Sequence, residues 1–148
     1  MEFILSASGI FFLFSLFFVG AVGALFLDRL VHDRGRLAGL WAHGFALLAS
    51  LFGIILSGSA LLSGQGITFS LPGVFDMFPM SFRLDGISAF FLGIISIVAT
   101  ASSLYGLSYQ KHFYGKYRLG SLGFFYNAFV GSLVLVVLAN HAVFFLLA

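Results

Sequence analysis

Apolar residues in this chain do not alternate with polar ones over most of its length; they run on without interruption. The stretch from Leu5 to Leu27 carries no charge. As a helix it would be roughly 34 Å long, enough to cross a hydrocarbon core of about 30 Å with some tilt. Leu37 to Leu62 is a second such run, with His43 as its only ionisable group. Gly86 to Leu107 is a third and Ser121 to Ala139 a fourth. Each predicts a membrane-spanning helix. Past Asn140 and His141 the chain turns apolar again from Ala142 to Ala148, which predicts the opening turns of a fifth. The predicted fold class is therefore all-α and integral to the membrane, one domain over residues 1–148.

Between the second and third runs the period changes. Ile67, Phe69 and Leu71 alternate with Thr68 and Ser70, and Met80, Phe82 and Leu84 alternate with Ser81 and Arg83. A period of two is a strand signal, and Pro72-Gly73 between the runs is a turn signal. The segment predicts a short extracytoplasmic β-hairpin lying on the membrane surface; an irregular amphipathic loop is the other reading. A lone hairpin is marginal in water, so it needs helix ends or a neighbouring subunit to pack on. Asp85, just ahead of the third run, is placed to cap that helix.

Basic residues give the orientation. The connection after the first helix holds Arg29, Arg34 and Arg36, and the one after the third holds Lys111, Lys116 and Arg118. Only Arg83 lies elsewhere. A four-helix path puts the two basic connections on one side, and basic loops collect in the cytoplasm. The N-terminus and the hairpin then lie outside, in a cell (inner) membrane. The first run is expected to be a retained span and not a cleaved leader: it follows Glu2 with no Lys or Arg, and it is longer than the roughly 7–15 residues of a leader's apolar core.

Composition excludes a soluble domain. Charged residues make up 8% of the chain, against about 25% in soluble proteins. Cysteine is absent, which removes disulfides, thiolate metal sites and cysteine-held iron–sulfur clusters. The net charge of +2 makes no patch for nucleic acid. The partners implied are lipid and other membrane helices.

Ionisable groups inside a membrane are costly and functional by default. His43, about two turns into the second helix, reads either as a point where protons enter from the cytoplasmic face or as an interfacial histidine bonded to a backbone carbonyl. Asp85 reads as a helix cap or partner for Arg83, or else as part of a relay. His141 reads as a wet residue after the fourth helix, His32 and His112 as loop residues, and Asp28 and Asp33 as exposed partners of the nearby arginines. None of these makes a catalytic, metal or cofactor set. No row of acids and bases crosses the membrane, so the isolated chain is expected to carry no proton flux. Gly20/Ala24, Ala46/Ser50, Ala99/Ser103 and Ser102/Gly106 are small residues four apart, and Ser88, Ser96 and Thr100 join them on the third helix. Such spacing lets helices approach closely.

Specific tracts carry a resemblance. Phe82-Arg83-Leu84-Asp85-Gly86-Ile87-Ser88-Ala89-Phe90-Phe91 resembles a segment of the antiporter-like membrane subunits of respiratory complex I and membrane-bound hydrogenases. Ser103 to Tyr109, Gly123 to Phe129, Val137 to Asn140 and Phe144 to Leu146 continue it in order. The tract from Ser108 to Phe129 is most similar to the hydrogenase-4 component B, or formate hydrogenlyase subunit 3, branch. The resemblance implies a long subunit of a complex that couples electron transfer to proton or cation movement, without an active site or cofactor of its own. It also implies that this chain matches the N-terminal part of such a subunit, ahead of the family's ion-path Glu and Lys residues. No translocation residue carries over, and the helices present would form scaffold beside the ion path. Two other readings stand: a complete small four-helix accessory protein, which would usually finish on a polar tail, and a small channel, which would need polar pore-lining residues.

Overall fold

The computed structural model describes residues 5–30, 35–64, 66–71, 80–114 and 116–140. It contains four long helices: α1 Ala7–Leu30, α2 Arg36–Ser63, α3 Gly86–Tyr109 and α4 Gly120–Leu138. All four are long and apolar enough to cross a membrane. The expected start of a fifth helix, at 142–148, lies outside the described residues, as does the Pro72-Gly73 turn.

The helices are apolar on nearly every face, because a segment in lipid must satisfy its backbone internally and has no water to face. What sorts one face from another is size. The buried positions of α2 are mostly small: Ala38, Gly39, Ala42, Ala46, Ala49, Ser50, Gly53, Ser57 and Ala60. Its exposed positions are large, among them Leu48, Ile55 and Leu62. Without a hydrophobic drive between helices in lipid, close backbone approach and interhelical hydrogen bonds are what remain. α2 contacts the other three helices, and α4 also packs back on α1. Trp41 stitches α2 to α1 through a bond from its indole Nε1 to the Val19 carbonyl, 3.1 Å.

The two alternating runs pair as strands β1 Ile67–Leu71 and β2 Met80–Leu84, antiparallel, with Phe69 opposite Phe82 and Ile67 opposite Leu84. The hairpin rests on helix ends. Phe69 and Phe82 stack at 5.1 Å. Phe11 of α1 meets Phe69 at 5.4 Å and Phe14 meets Phe82 at 6.2 Å. The amide of Asn140, past α4, donates to the Ser81 carbonyl at 3.0 Å.

At the opposite end, Gly35 has φ +91°, a backbone region that side chains rarely adopt. A Cβ there would stand 2.9 Å from the Leu119 amide nitrogen and 3.0 Å from the Tyr117 carbonyl. Gly35, just ahead of α2, therefore lies directly on the segment that leads into α4. Asp28, near the end of α1, packs against Gly120 at the start of α4. Both basic connections thus share one end of the bundle, and the hairpin occupies the other.

The third helix runs past its expected end at Leu107, to Tyr109, and continues as a 3-10 turn, Gln110–Phe113. Polar Ser108, Tyr109 and Gln110 end the apolar run, but a helix needs backbone bonds and not apolar side chains to continue. The extension carries Gln110 into the bundle, where it is 2% exposed.

Candidate functional site: a polar seam between the second and third helices

α2 and α3 run antiparallel, and their facing positions form a row of polar groups against small residues. At the hairpin end the Ser57 hydroxyl donates to the Ala89 carbonyl, 2.6 Å. Next, Ser96 fits against Gly53. Thr100 bonds the Ser50 hydroxyl at 2.9 Å. Toward the basic end, His43 lies on Gly106, and Gln110 on Gly39. From Ala89 to Tyr109 is about 30 Å of helix, so the row is as long as a bilayer core is thick.

His43 is the one buried ionisable side chain in the described spans, 5% exposed. It follows Arg36 by seven residues, about 10 Å along the helix. Its Nε2 meets the side-chain amide of Gln110, so its partner is a side chain from the α3 extension and not a backbone carbonyl. Its ring lies 4.8 Å from that of Tyr126 on α4. The Tyr126 hydroxyl in turn meets Ser103 at 2.9 Å and donates to the Ala99 carbonyl at 3.1 Å. The groups facing His43 from α3, the 3-10 turn and α4 are Gly106, Gln110 and Tyr126, none of them charged. A neutral imidazole has one donor and one acceptor nitrogen. Gln110 can serve either tautomer, donating through its NH₂ or accepting through its oxygen.

Asn127 of α4 is wholly buried. Its amide donates to the Ala42 carbonyl of α2, 3.1 Å, and to the Gly123 carbonyl, 3.0 Å. Among the described residues, three buried side-chain atoms lack conventional hydrogen bonds: His43 Nδ1, Gln110 Oε1 and Asn127 Oδ1. Each lies over a helix glycine. A Cβ on Gly106 would stand 2.7 Å from His43 Nδ1, and one on Gly20 would stand 2.7 Å from Asn127 Oδ1. Gly39 is packed in the same way against Gln110 Oε1. The two amide oxygens, Asn127 Oδ1 over Gly20 and Gln110 Oε1 over Gly39, are positions for weak Cα–H contacts, which recur where helices pack closely; with the Gln110 amide donating to Nε2, His43 Nδ1 carries the ring proton.

Asp85 is at the other end. It is the N-cap of α3: its Oδ1 accepts from the Ser88 amide at 2.9 Å. Its Oδ2 pairs with Arg83 Nε at 3.3 Å. The Ser88 amide, helped by Arg83, holds its carboxyl below the usual range against a smaller opposing effect of burial. The structure therefore does not bring Asp85 and His43 together; the length of the seam separates them. His112 is exposed and Asp28 half-buried, while His32, Asp33 and His141 lie outside the described residues. Of the small-residue pairs, Gly20/Ala24, Ala46/Ser50 and Ala99/Ser103 face inward. Ser102 is exposed and Gly106 buried, so that pair is split.

Ser57, Gln110, Tyr126 and Asn127 are the polar members of the site that the sequence analysis did not single out. Their signal was an uncharged polar side chain within or beside an apolar run.

No family model matches the chain. Hydrogenase-4 component B of Escherichia coli (strain K12) is 30% identical over 131 residues. The aligned stretch is 88% of this chain and 19% of that protein. The chain is similar to this protein over most of its own length. It spans about a fifth of the relative's length, and the resemblance read from its tracts from Phe82 onward is borne out.

Proposed function

We propose that the chain is a membrane-embedded part of a hydrogenase-type complex, of the formate hydrogenlyase, hydrogenase-4 or NADH dehydrogenase-like kind. It sits in the inner membrane as a single domain with its N-terminus and hairpin outside. Its work is to scaffold neighbouring membrane subunits and to contribute to coupling of electron transfer to proton or cation translocation. The observation that carries this reading is the identity with hydrogenase-4 component B over most of the chain. The scaffold part of the proposal is supported by the dense small-residue packing of α2 and by the helix cap at Asp85. His43, about 10 Å along α2 from the basic end, is the residue proposed to link the scaffold to protons. By itself the chain offers no charged relay among the described residues, so translocation belongs to the assembly.

The test is purification of the tagged chain from its own membranes in mild detergent. Hydrogen evolution with formate or a reduced dye should co-elute with it, along with other membrane subunits. Elution of the chain alone, with activity elsewhere, would favour the accessory reading instead.

A further inference from the structure

At the basic end, an open pocket of about 360 Å³ separates the 3-10 turn from the start of α4. Its floor is Gln110 and its walls are Tyr109, Phe113, Tyr117 and Leu122, with Arg118 at its rim. The aromatic rings form a staircase. Tyr105 stacks on Tyr109 at 5.4 Å, Tyr109 meets Phe113 at 5.2 Å, and Phe113 meets Tyr117 at 6.0 Å. The lower steps lie on the lipid-facing side of α3, where Tyr105 is 66% exposed. The upper steps reach the connection that carries Lys111, Lys116 and Arg118, all exposed and none ion-paired among the described residues. An apolar slot thus opens from the lipid face and ends under unneutralised positive charge.

We propose that this pocket binds one anionic phospholipid from the leaflet on the basic side. Its phosphate would lie at Arg118 and Lys116, its glycerol region among Tyr109, Phe113 and Tyr117, and an acyl chain along Tyr105 and Leu122. Charge complementarity selects the occupant. A zwitterionic lipid would bring its own cation against the arginine, and a soluble protein helix could not reach the lipid-facing steps. Aromatic rings at membrane interfaces hold this depth, and clustered basic residues beside a span attract anionic headgroups.

The experiment is native mass spectrometry of the full chain released from micelles doped with phosphatidylglycerol, cardiolipin or phosphatidylcholine. One anionic adduct should persist at collision energies that strip phosphatidylcholine. The double variant Lys116→Gln/Arg118→Gln should lower its retention by about 30-fold, at ~1 kcal/mol for each basic residue near an anionic surface. The pair Arg29→Gln/Arg36→Gln removes the same charge at the same end but outside the pocket, and should leave the adduct in place. Inorganic phosphate should neither bind nor compete. Equal retention of phosphatidylcholine, an adduct number that rises without saturating, or equal loss in both double variants would overturn the proposal. Tyr117→Ala separates pocket from charge, because it keeps every basic residue and should still weaken retention.

Discussion

His43 and Gln110 meet 67 positions apart in sequence, each buried, with a glycine of the opposite helix under each side chain. The close approach that brings them together depends on Gly106 and Gly39 having no Cβ. A methyl group at Gly106 would stand 2.5 Å from His43 Cε1, and the ring cannot retreat without leaving Gln110 or striking Tyr126. Overpacking of this kind costs about 1–3 kcal/mol. Gly58 on α2 faces open space, with nothing within 4 Å of its virtual Cβ. Gly106→Ala should therefore lower the thermal midpoint in detergent, whereas Gly58→Ala should leave it unchanged or raise it, reduced backbone entropy adding up to about 1 kcal/mol of stability. Equal effects at the two positions would contradict the packing described.

Asn127 and Gly20 make a second contrast, this time between a lost bond and a filled space. Asn127 ties α4 to the Ala42 carbonyl of α2. Interhelical hydrogen bonds in membranes average only about 0.6 kcal/mol, because the unfolded chain in lipid finds other partners. Asn127→Ala should thus be mild, on the order of 1 kcal/mol. Gly20→Ala should be worse, since its Cβ would meet both Asn127 Oδ1 at 2.7 Å and Phe45 Cβ at 2.9 Å. Unfolding measured in bicelles, with the two variants side by side, checks the order. A larger loss for Asn127→Ala would place more weight on the polar seam than its hydrogen bonds account for.

How much of this was legible in the sequence follows from the physics of each element. The spans were legible because uninterrupted apolar runs have few meanings in a chain with so little charge. The hairpin's two strands were legible because their residues alternate with period two on either side of a turn signal, while the register that sets Phe69 opposite Phe82 came only with the structure. Gln110 was not, because the apolar run stops before it and hydropathy says nothing of whether the helix does. Nor was the inward face of α3: Ser102 and Ser103 are adjacent small polar residues, and only packing against α2 and α4 decides that the second turns inward. The partner of His43 was hidden for the same reason, since a buried histidine in α2 does not name which later residue reaches it.

Asp85 titrates outside the spans and gives a pH dependence. Its folded carboxyl lies below the free value of 3.8, chiefly through the Ser88 amide. A depressed carboxylate stabilises the fold above its free value, and that contribution is lost as pH falls through the folded one. Stability should therefore drop below about pH 4 in the wild type, and Asp85→Asn should flatten that drop. Asp85→Ala should cost about 1 kcal/mol at neutral pH as a lost cap. The pair with Arg83, half-exposed on both sides, should add little, so Arg83→Gln should be near neutral in thermal denaturation.

Gly35 against Tyr117 and Leu119 decides the last expectation. That contact leaves no room for a membrane between the start of α2 and the segment before α4. The chain has no cysteine, so single cysteines report position without background. Arg36→Cys and Lys116→Cys should react with a membrane-impermeant maleimide only after cells are opened. Arg83→Cys, on the hairpin, should react with intact cells once any outer barrier is removed. The sidedness rests on the basic residues, because loops rich in Lys and Arg stay in the cytoplasm. The pairing of Arg36 with Lys116 rests on packing alone. If all three sites reversed, the bundle would stand and the orientation would fall. If Arg36 and Lys116 labelled from opposite sides, the four-helix path itself would be wrong.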